Sequence, residues 1–262
     1  VCSRANASRA YQVPRAEFDK RLVKNARASG AWVLEGTAVQ KLSLVEDRVR
    51  RETAAVAIEA RYLIDCSVRQ TLLGQQLQLK KSYDHLQKFS IFAHYENVER
   101  PEGINGTLIR IVRAVDSWFW MIPLTPTRMS VGLVMDTAKF RALKLSPEEV
   151  LEKFLAEQPL VSERMKDSER VTPIYSAGDY SYRNTRLYGD RWLLAGDAAG
   201  FIDPVFSSGV YMAVMSGEKA ADTLDEVLLH PERKRKLRKS NERSINSGMK
   251  LYHRVVNAWY SG

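Results

Sequence analysis

The sequence predicts an α/β (α+β) fold from three observations. An early helix signal leads into short strand-like stretches, an alternating run extends from Phe89 to Met135, and two long helical patterns finish the chain. Pro14 suits a first helical position, and Phe18, Leu22, Val23 and Ala26 share one face before Gly30, which predicts a covering helix. Strands are expected at Trp32–Glu35, Thr37–Val45 and Val56–Asp65, with a turn at Glu46, Asp47 and Arg48. Four antiparallel strands are expected between Phe89 and Met135, punctuated by Glu102-Gly103 and Asn105-Gly106. Ser146-Pro147-Glu148-Glu149 combines a capping box with proline at the first helical position and predicts a helix through about Glu157. The chain then returns through Thr172–Ala177 to a short apolar strand, Trp192–Ala195, and two helices follow at roughly Ser208–Leu229 and Arg233–Tyr260.

With 262 residues, 45% of them hydrophobic, the chain can bury a substantial core. No apolar run reaches the roughly 18 residues of a membrane span, and the first ten residues lack the apolar core of a secretory signal, so a soluble, cytoplasmic protein is expected. Cys2 and Cys66 are too few for a disulfide framework and lack zinc-ligand spacing. His85, His94, His230 and His253 show neither metal nor triad spacing, so no metal is expected. The net charge of +9 owes much to Arg233, Lys234, Arg235, Lys236, Arg238 and Lys239. Without an aromatic stacking set, that run reads as a solvated helix face rather than a nucleic-acid site.

The most informative stretch is GDRWLLAGDAAGFIDPVFSSGVY at 189–211. A strand enters Gly196-Asp197-Ala198-Ala199-Gly200, where small residues would let a ligand approach the backbone and Asp197 would offer it an acceptor. After Pro204, Ser207-Ser208-Gly209 opens a helical pattern whose first N–H groups have no intrahelical partner, the makings of an anion seat.

This stretch resembles the second flavin-contacting motif of FAD-dependent monooxygenases and halogenases of the p-hydroxybenzoate hydroxylase fold. VPRAEFDKRL at 13–22, YLIDCSVRQTLLG at 62–74, FSIFAHYENVERPEG at 89–103 and WFWMIPL at 118–124 resemble flavin-dependent halogenase segments in the family's order. Trp118-Phe119-Trp120-Met121-Ile122-Pro123 is similar to the W-x-W-x-I-P signature that separates halogenases from hydroxylating relatives. None of the 14 glycines has another two positions away, so the G-x-G-x-x-G pyrophosphate turn is missing. The resemblance implies the C-terminal part of a longer ancestor, with the halogenase lysine in the part that is lacking.

The resemblance implies an incomplete FAD-binding domain with a mixed sheet, an antiparallel β-sheet substrate domain and a helical C-terminus. Its expected divisions are 1–75 for the remainder of the FAD domain, 76–180 for the substrate domain, 181–229 for the flavin-contacting strand and helix, and 230–262 for the last helix. Arg15, Asp197, Pro204, Ser208, Gly209 and Val210 would bind cofactor, Asp197 by accepting hydrogen bonds from the ribityl chain. The helix N-terminus would stabilise the negative charge of reduced flavin, and the Ser208 and Gly209 amides would also hold halide. Trp118 and Trp120, two apart on a strand, would project to one face with Ile122. In the family that wall keeps substrate from the flavin, so that halide is oxidised to hypohalous acid.

Two departures stand out. Val68 occupies the glycine position of the family's D-A-S-G-R turn, and Phe206 stands where tryptophan halogenases carry glutamate. The second departure is closer to the branch acting on phenols, pyrroles or carrier-bound aromatics. The resemblance implies FAD reduced by a separate flavin reductase, O2 and halide, with a small aromatic or carrier-bound substrate. The basic run could then attract an acidic carrier protein or steer anionic FAD. A flavin-dependent monooxygenase or reductase of the same fold, and a truncated, catalytically silent chain, remain alternatives.

Overall fold

The computed structural model describes residues 12–39, 41–45, 48–52, 57–178 and 180–261. In chain order, its first half contains α1 (Arg15–Ala28), β1 (Lys41–Leu44), β2 (Val49–Glu52), β3 (Ala57–Ala60), β4 (Leu63–Asp65), α2 (Leu72–Gln76), β5 (Lys80–Ser82), β6 (Lys88–Glu96), β7 (Arg110–Ala114), β8 (Ser117–Pro123) and β9 (Arg128–Asp136). Then come α3 (Thr137–Leu143), α4 (Pro147–Glu157), α5 (Pro159–Ser162), β10 (Glu169–Arg170), β11 (Tyr175–Gly178), β12 (Tyr182–Asn184), β13 (Trp192–Leu194), β14 (Gly200–Phe201), α6 (Gly209–Leu229) and α7 (Lys234–Ser261). The described residues form two compact units, those within 1–35 together with those within 89–178, and those within 36–88 together with those within 179–262.

The first unit is built on an antiparallel sheet ordered β10-β6-β9-β8-β7, with β11 also paired to β6. The four strands expected between Phe89 and Met135 are present. One sheet face contributes Ile91, Ala93, Phe119, Met121, Val131 and Leu133 to a core that also holds Val150 and Leu151 of α4. Alternation along β8 puts Phe119 and Met121 into that core and Trp118 and Trp120 on the opposite face, as period two requires. The α4 capping box forms, the Ser146 N–H donating to Glu149 Oε2 at 2.7 Å and the Glu149 N–H to Ser146 Oγ at 3.2 Å.

Several early elements differ from expectation. Helix α1 forms, with Pro14 as its N-cap, but none of its residues is fully buried: Phe18, Val23 and Ala26 are half-buried and Leu22 is 49% exposed, so its apolar face is only partly covered among the described residues. Trp32–Glu35 is not a strand, and Trp32 is 72% exposed, without the burial that would favour pairing. Among the described residues of 37–45 only Lys41–Leu44 forms a strand, and residues 57–65 hold two strands, β3 and β4. Strand β2, which the charged run Val49–Glu52 conceals, pairs with both β1 and β3. Glu46 and Asp47 of the expected turn lie outside the described residues, although the Val45 N–H donates to Arg48 O at 3.1 Å.

The second unit mixes strand directions. β13 runs parallel to β4, Leu193 opposite Ile64, whereas β14-β12-β5 and β1-β2-β3 are antiparallel. Helices α6 and α7 belong to this unit. The basic run of α7 is not wholly a solvated face, because Arg238 is buried and donates to the carbonyls of Gly189 and Asp190. Although burial alone would raise it, Lys234 and Arg238 hold the Asp190 carboxyl below its usual range.

Candidate functional site

In the second unit, strand β13 delivers the chain into a tight turn at Gly196, Asp197 and Ala198. Gly196 takes φ +59°, which glycine adopts without penalty, and its N–H donates to Ser216 Oγ of α6 at 2.7 Å. The Tyr182 phenol donates to the carbonyl of Asp197 at 2.5 Å, and burial, then the Asp197 charge, push that phenol well above its ordinary pKa. It therefore stays protonated and remains a donor. Thr71 Oγ1 and Asn184 Nδ2 both donate to Ala198 O at 2.7 Å.

The adjoining loop bears the same mark of tight construction. Asp203 is 1% exposed, and its Oδ1 accepts the Val205 N–H at 3.1 Å within an Asx turn next to Pro204. Burial pushes its carboxyl up to about 6, against the opposing pull of the Tyr260 hydroxyl, the Val205 amide and Lys88. Ser207 takes φ +52°, and Ser208 caps α6 with its backbone, its O accepting the Met212 N–H at 2.9 Å. The Ser208 hydroxyl caps none of the first-turn amides. Those N–H groups thus retain the partial positive charge of a helix start.

Gly196, Asp197, Gly200, Phe201, Ser208 and Gly209 share a recess with Met249 and Tyr252 of α7. It is small, about 30 Å³. The sequence expectation that residues 196–200 all make room for a ligand needs correction. Ala198 and Ala199 are buried in the protein, and a Cβ on Gly200 would meet Met249 Cε at 2.4 Å, so their smallness serves internal packing. Gly196, Asp197 and Gly200 are the members that line the recess, Gly200 with its Cβ direction closed off by Met249. A flavin edge suits this face, since a backbone turn without side-chain bulk, a carboxylate and a helix N-terminus line the same hollow.

The turn after β4 sharpens the Val68 departure. Asp65 is buried and bridges the turn, its oxygens accepting the N–H groups of Ser67 and Leu73, each at 2.8 Å. Val68 takes φ +53°, a left-handed conformation costly for a β-branched residue. The geometry asks for the glycine that the sequence lacks.

In the first unit, Trp118 and Trp120 lie side by side, ring centroids 5.9 Å apart. Trp120 donates from Nε1 to Ser130 Oγ at 3.1 Å and pairs across the sheet with Gly132. A Cβ on Gly132 would stand 2.3 Å from the indole, so glycine here lets the ring lie flat over β9. Two residues missed in the sequence extend this array. Phe92 lies 5.6 Å from Trp120, and Tyr175, directly opposite Phe92, lies 5.4 Å from it. Their period-two placement on β6 and β11 was available, but the register joining them was not.

Arg15, in the first unit, opens α1 and pairs with Asp19 one turn on at 3.0 Å. Residues 12–14, which precede it, are not a strand. Pro204 starts the turn at 204–206, while Val210 lies in the first turn of α6. Asp197, Pro204, Ser208, Gly209 and Val210 are thus brought together in the second unit, and Trp118 and Trp120 form a separate group in the first. His85 and His253, assigned no role from sequence, meet with ring centroids 5.4 Å apart beside Tyr83.

The architecture is that of solved flavin-dependent halogenases. It matches the myxobacterial chondrochloren halogenase CndH at a TM-score of 0.89, 30% identity, and 96% of this chain against 60% of that one. It matches the flavin-dependent halogenase CmlS at 0.88, with 29% identity over 93% of this chain and 46% of that one. A family model described as tryptophan halogenase matches residues 2–261, and the chain belongs to that family. A 1H-pyrrole-2-carbonyl peptidyl-carrier-protein chlorinase of Pseudomonas fluorescens is 28% identical over 95% of this chain. A tryptophan 2-halogenase of Chondromyces crocatus is 30% identical over 83%. The chain spans 58% and 44% of the length of these two curated relatives.

Proposed function

We propose that this chain contributes the flavin-side face and the aromatic wall of a flavin-dependent halogenase. The observation that carries the reading is the shared recess of Asp197, Ser208 and Gly209, a carboxylate next to unpaired helix-start amides. Asp197 accepts hydrogen bonds from the ribityl hydroxyls, with Pro204 shaping the loop beneath. The Ser208, Gly209 and Val210 amides face the anionic edge of reduced FAD, and those of Ser208 and Gly209 hold halide. Arg15 reaches the ribityl or phosphate region. Bound FAD, delivered reduced by a separate reductase, supplies oxidation of halide with O2; the residues of this chain orient it and present the halide. Trp118 and Trp120 exclude the organic substrate from the flavin.

The substrate class is a small aromatic or carrier-bound aromatic acid, supported by Phe206 in place of glutamate and by similarity to a chlorinase that acts on a carrier-bound pyrrole. The basic face of α7 would then meet an acidic carrier in the cytoplasm. Incubation with FADH2, O2 and chloride or bromide, followed by product mass, tests this. Halide-dependent mass gain is expected with a carrier-bound pyrrole. A second reading, monooxygenase or reductase chemistry on the same fold, is favoured by likeness to a Cytophaga hutchinsonii flavoprotein/dehydrogenase, at TM-score 0.84 and 28% identity over 96% of this chain and 62% of that one. Oxidised or saturated product without halide would establish the second reading, and flavin binding without turnover would identify a silent chain.

A further inference from the structure

The loop that leads into α6 is held at both ends by two neighbouring residues of α7. The Tyr260 phenol donates to Asp203 Oδ2 at 2.9 Å, and the Lys88 ammonium stands over the Tyr260 ring, 3.9 Å from its centroid. The Trp259 ring meets Phe206 edge to face, centroids 6.2 Å apart and planes at 83°. Asp203 caps the turn at 204–206 and Phe206 is its last residue, and Ser207, Ser208 and Gly209 follow directly. A carboxylate this buried needs its donors: losing the Tyr260 hydroxyl would leave Oδ2 short of a partner and favour loop conformations that return it to water.

We propose that Trp259 and Tyr260 are positioning residues, a latch that fixes the 203–208 loop and so keeps the Ser208 and Gly209 amides beside the recess they line. The latch acts through Asp203 and Phe206 rather than by touching a ligand. This inference rests on the flavin reading of that face, so its test separates the two.

Hydrogen exchange is followed by mass spectrometry on the full chain without ligand, for wild type, Tyr260→Phe, Trp259→Ala, the double variant and Asp203→Asn. Exchange in a peptide spanning 203–212 should rise about tenfold in the double variant, the scale of one lost buried hydrogen bond. Peptides from β8 and β9 should be unchanged. Asp203→Asn keeps one acceptor, Oδ1, for the Val205 N–H and turns an Nδ2 donor toward Tyr260, whose hydroxyl oxygen accepts in place of donating, so the contact is retained in reverse and exchange should not rise above wild type. Unchanged exchange at 203–212, or an equal rise in every peptide, would overturn the latch. Flavin titration of the same proteins should show weaker binding for the double variant. A local rise in exchange with no flavin binding by the wild type would instead overturn the flavin reading, and the positioning role with it, while leaving the loop contact established.

Discussion

The aromatic wall and the proposed flavin-side face are built in opposite ways. The wall is regular: β8 alternates, the sheet supplies the register, and Trp118 and Trp120 share a face because residues two apart on a strand must. The proposed flavin-side face is made of turns that offer main-chain amides and one carboxylate, with the Asp197 and Ala198 carbonyls held by Thr71, Tyr182 and Asn184. Periodic structure announces its side chains, whereas a turn announces only its glycines and prolines.

Changing the pH sharpens this contrast most. Asp203 carries a carboxyl raised from 3.8 to about 6, so its stabilising contribution is fully present below 3.8 and is lost as pH rises through about 6. Asp203→Asn should remove that dependence and be more stable at pH 8 by up to about 3 kcal/mol, the size of a two-unit shift. Urea melts of both proteins at pH 5 and pH 8 would show it; parallel losses in both would refute the assignment. The wall should respond to volume instead. Gly132→Val forces a Cβ to 2.3 Å from the Trp120 indole, and should cost about 1–3 kcal/mol by denaturant melting, with a shift in tryptophan emission.

A smaller effect belongs to the β4 turn. Val68→Gly relieves a left-handed backbone but adds unfolded-state entropy, for a net gain of about 0.5–1 kcal/mol. A loss of stability would mean that the turn is held for another reason. Ser130→Ala should cost about 1 kcal/mol through the lost Trp120 hydrogen bond and red-shift tryptophan emission, leaving flavin affinity untouched.

The sequence disclosed the four central strands, the α4 capping box and the start of α6 through local signals of period and capping. It located α1 and its apolar face but not how little of that face is buried, because amphipathic spacing says which face is apolar and not how closely anything meets it. The smallness of Ala198, Ala199 and Gly200 suggested ligand room, yet Met249, far along the chain, occupies that space beside Gly200. Phe92 and Tyr175 joined the wall only once register was known, and Tyr260 reached Asp203 only once α7 was placed. Each miss is a contact between distant segments. The Val68 departure was legible because glycine at a turn is a local requirement, and φ +53° there bears out the reading.

The central claim is that the 196–210 face binds flavin, and titration of the purified chain with FAD, followed by flavin fluorescence quenching, addresses it most directly. Saturable quenching is expected, with affinity at least about tenfold weaker in Asp197→Ala, as loss of a charged hydrogen-bond acceptor implies. A folded chain that fails to quench, or an Asp197→Ala variant that binds as tightly as wild type, would contradict it.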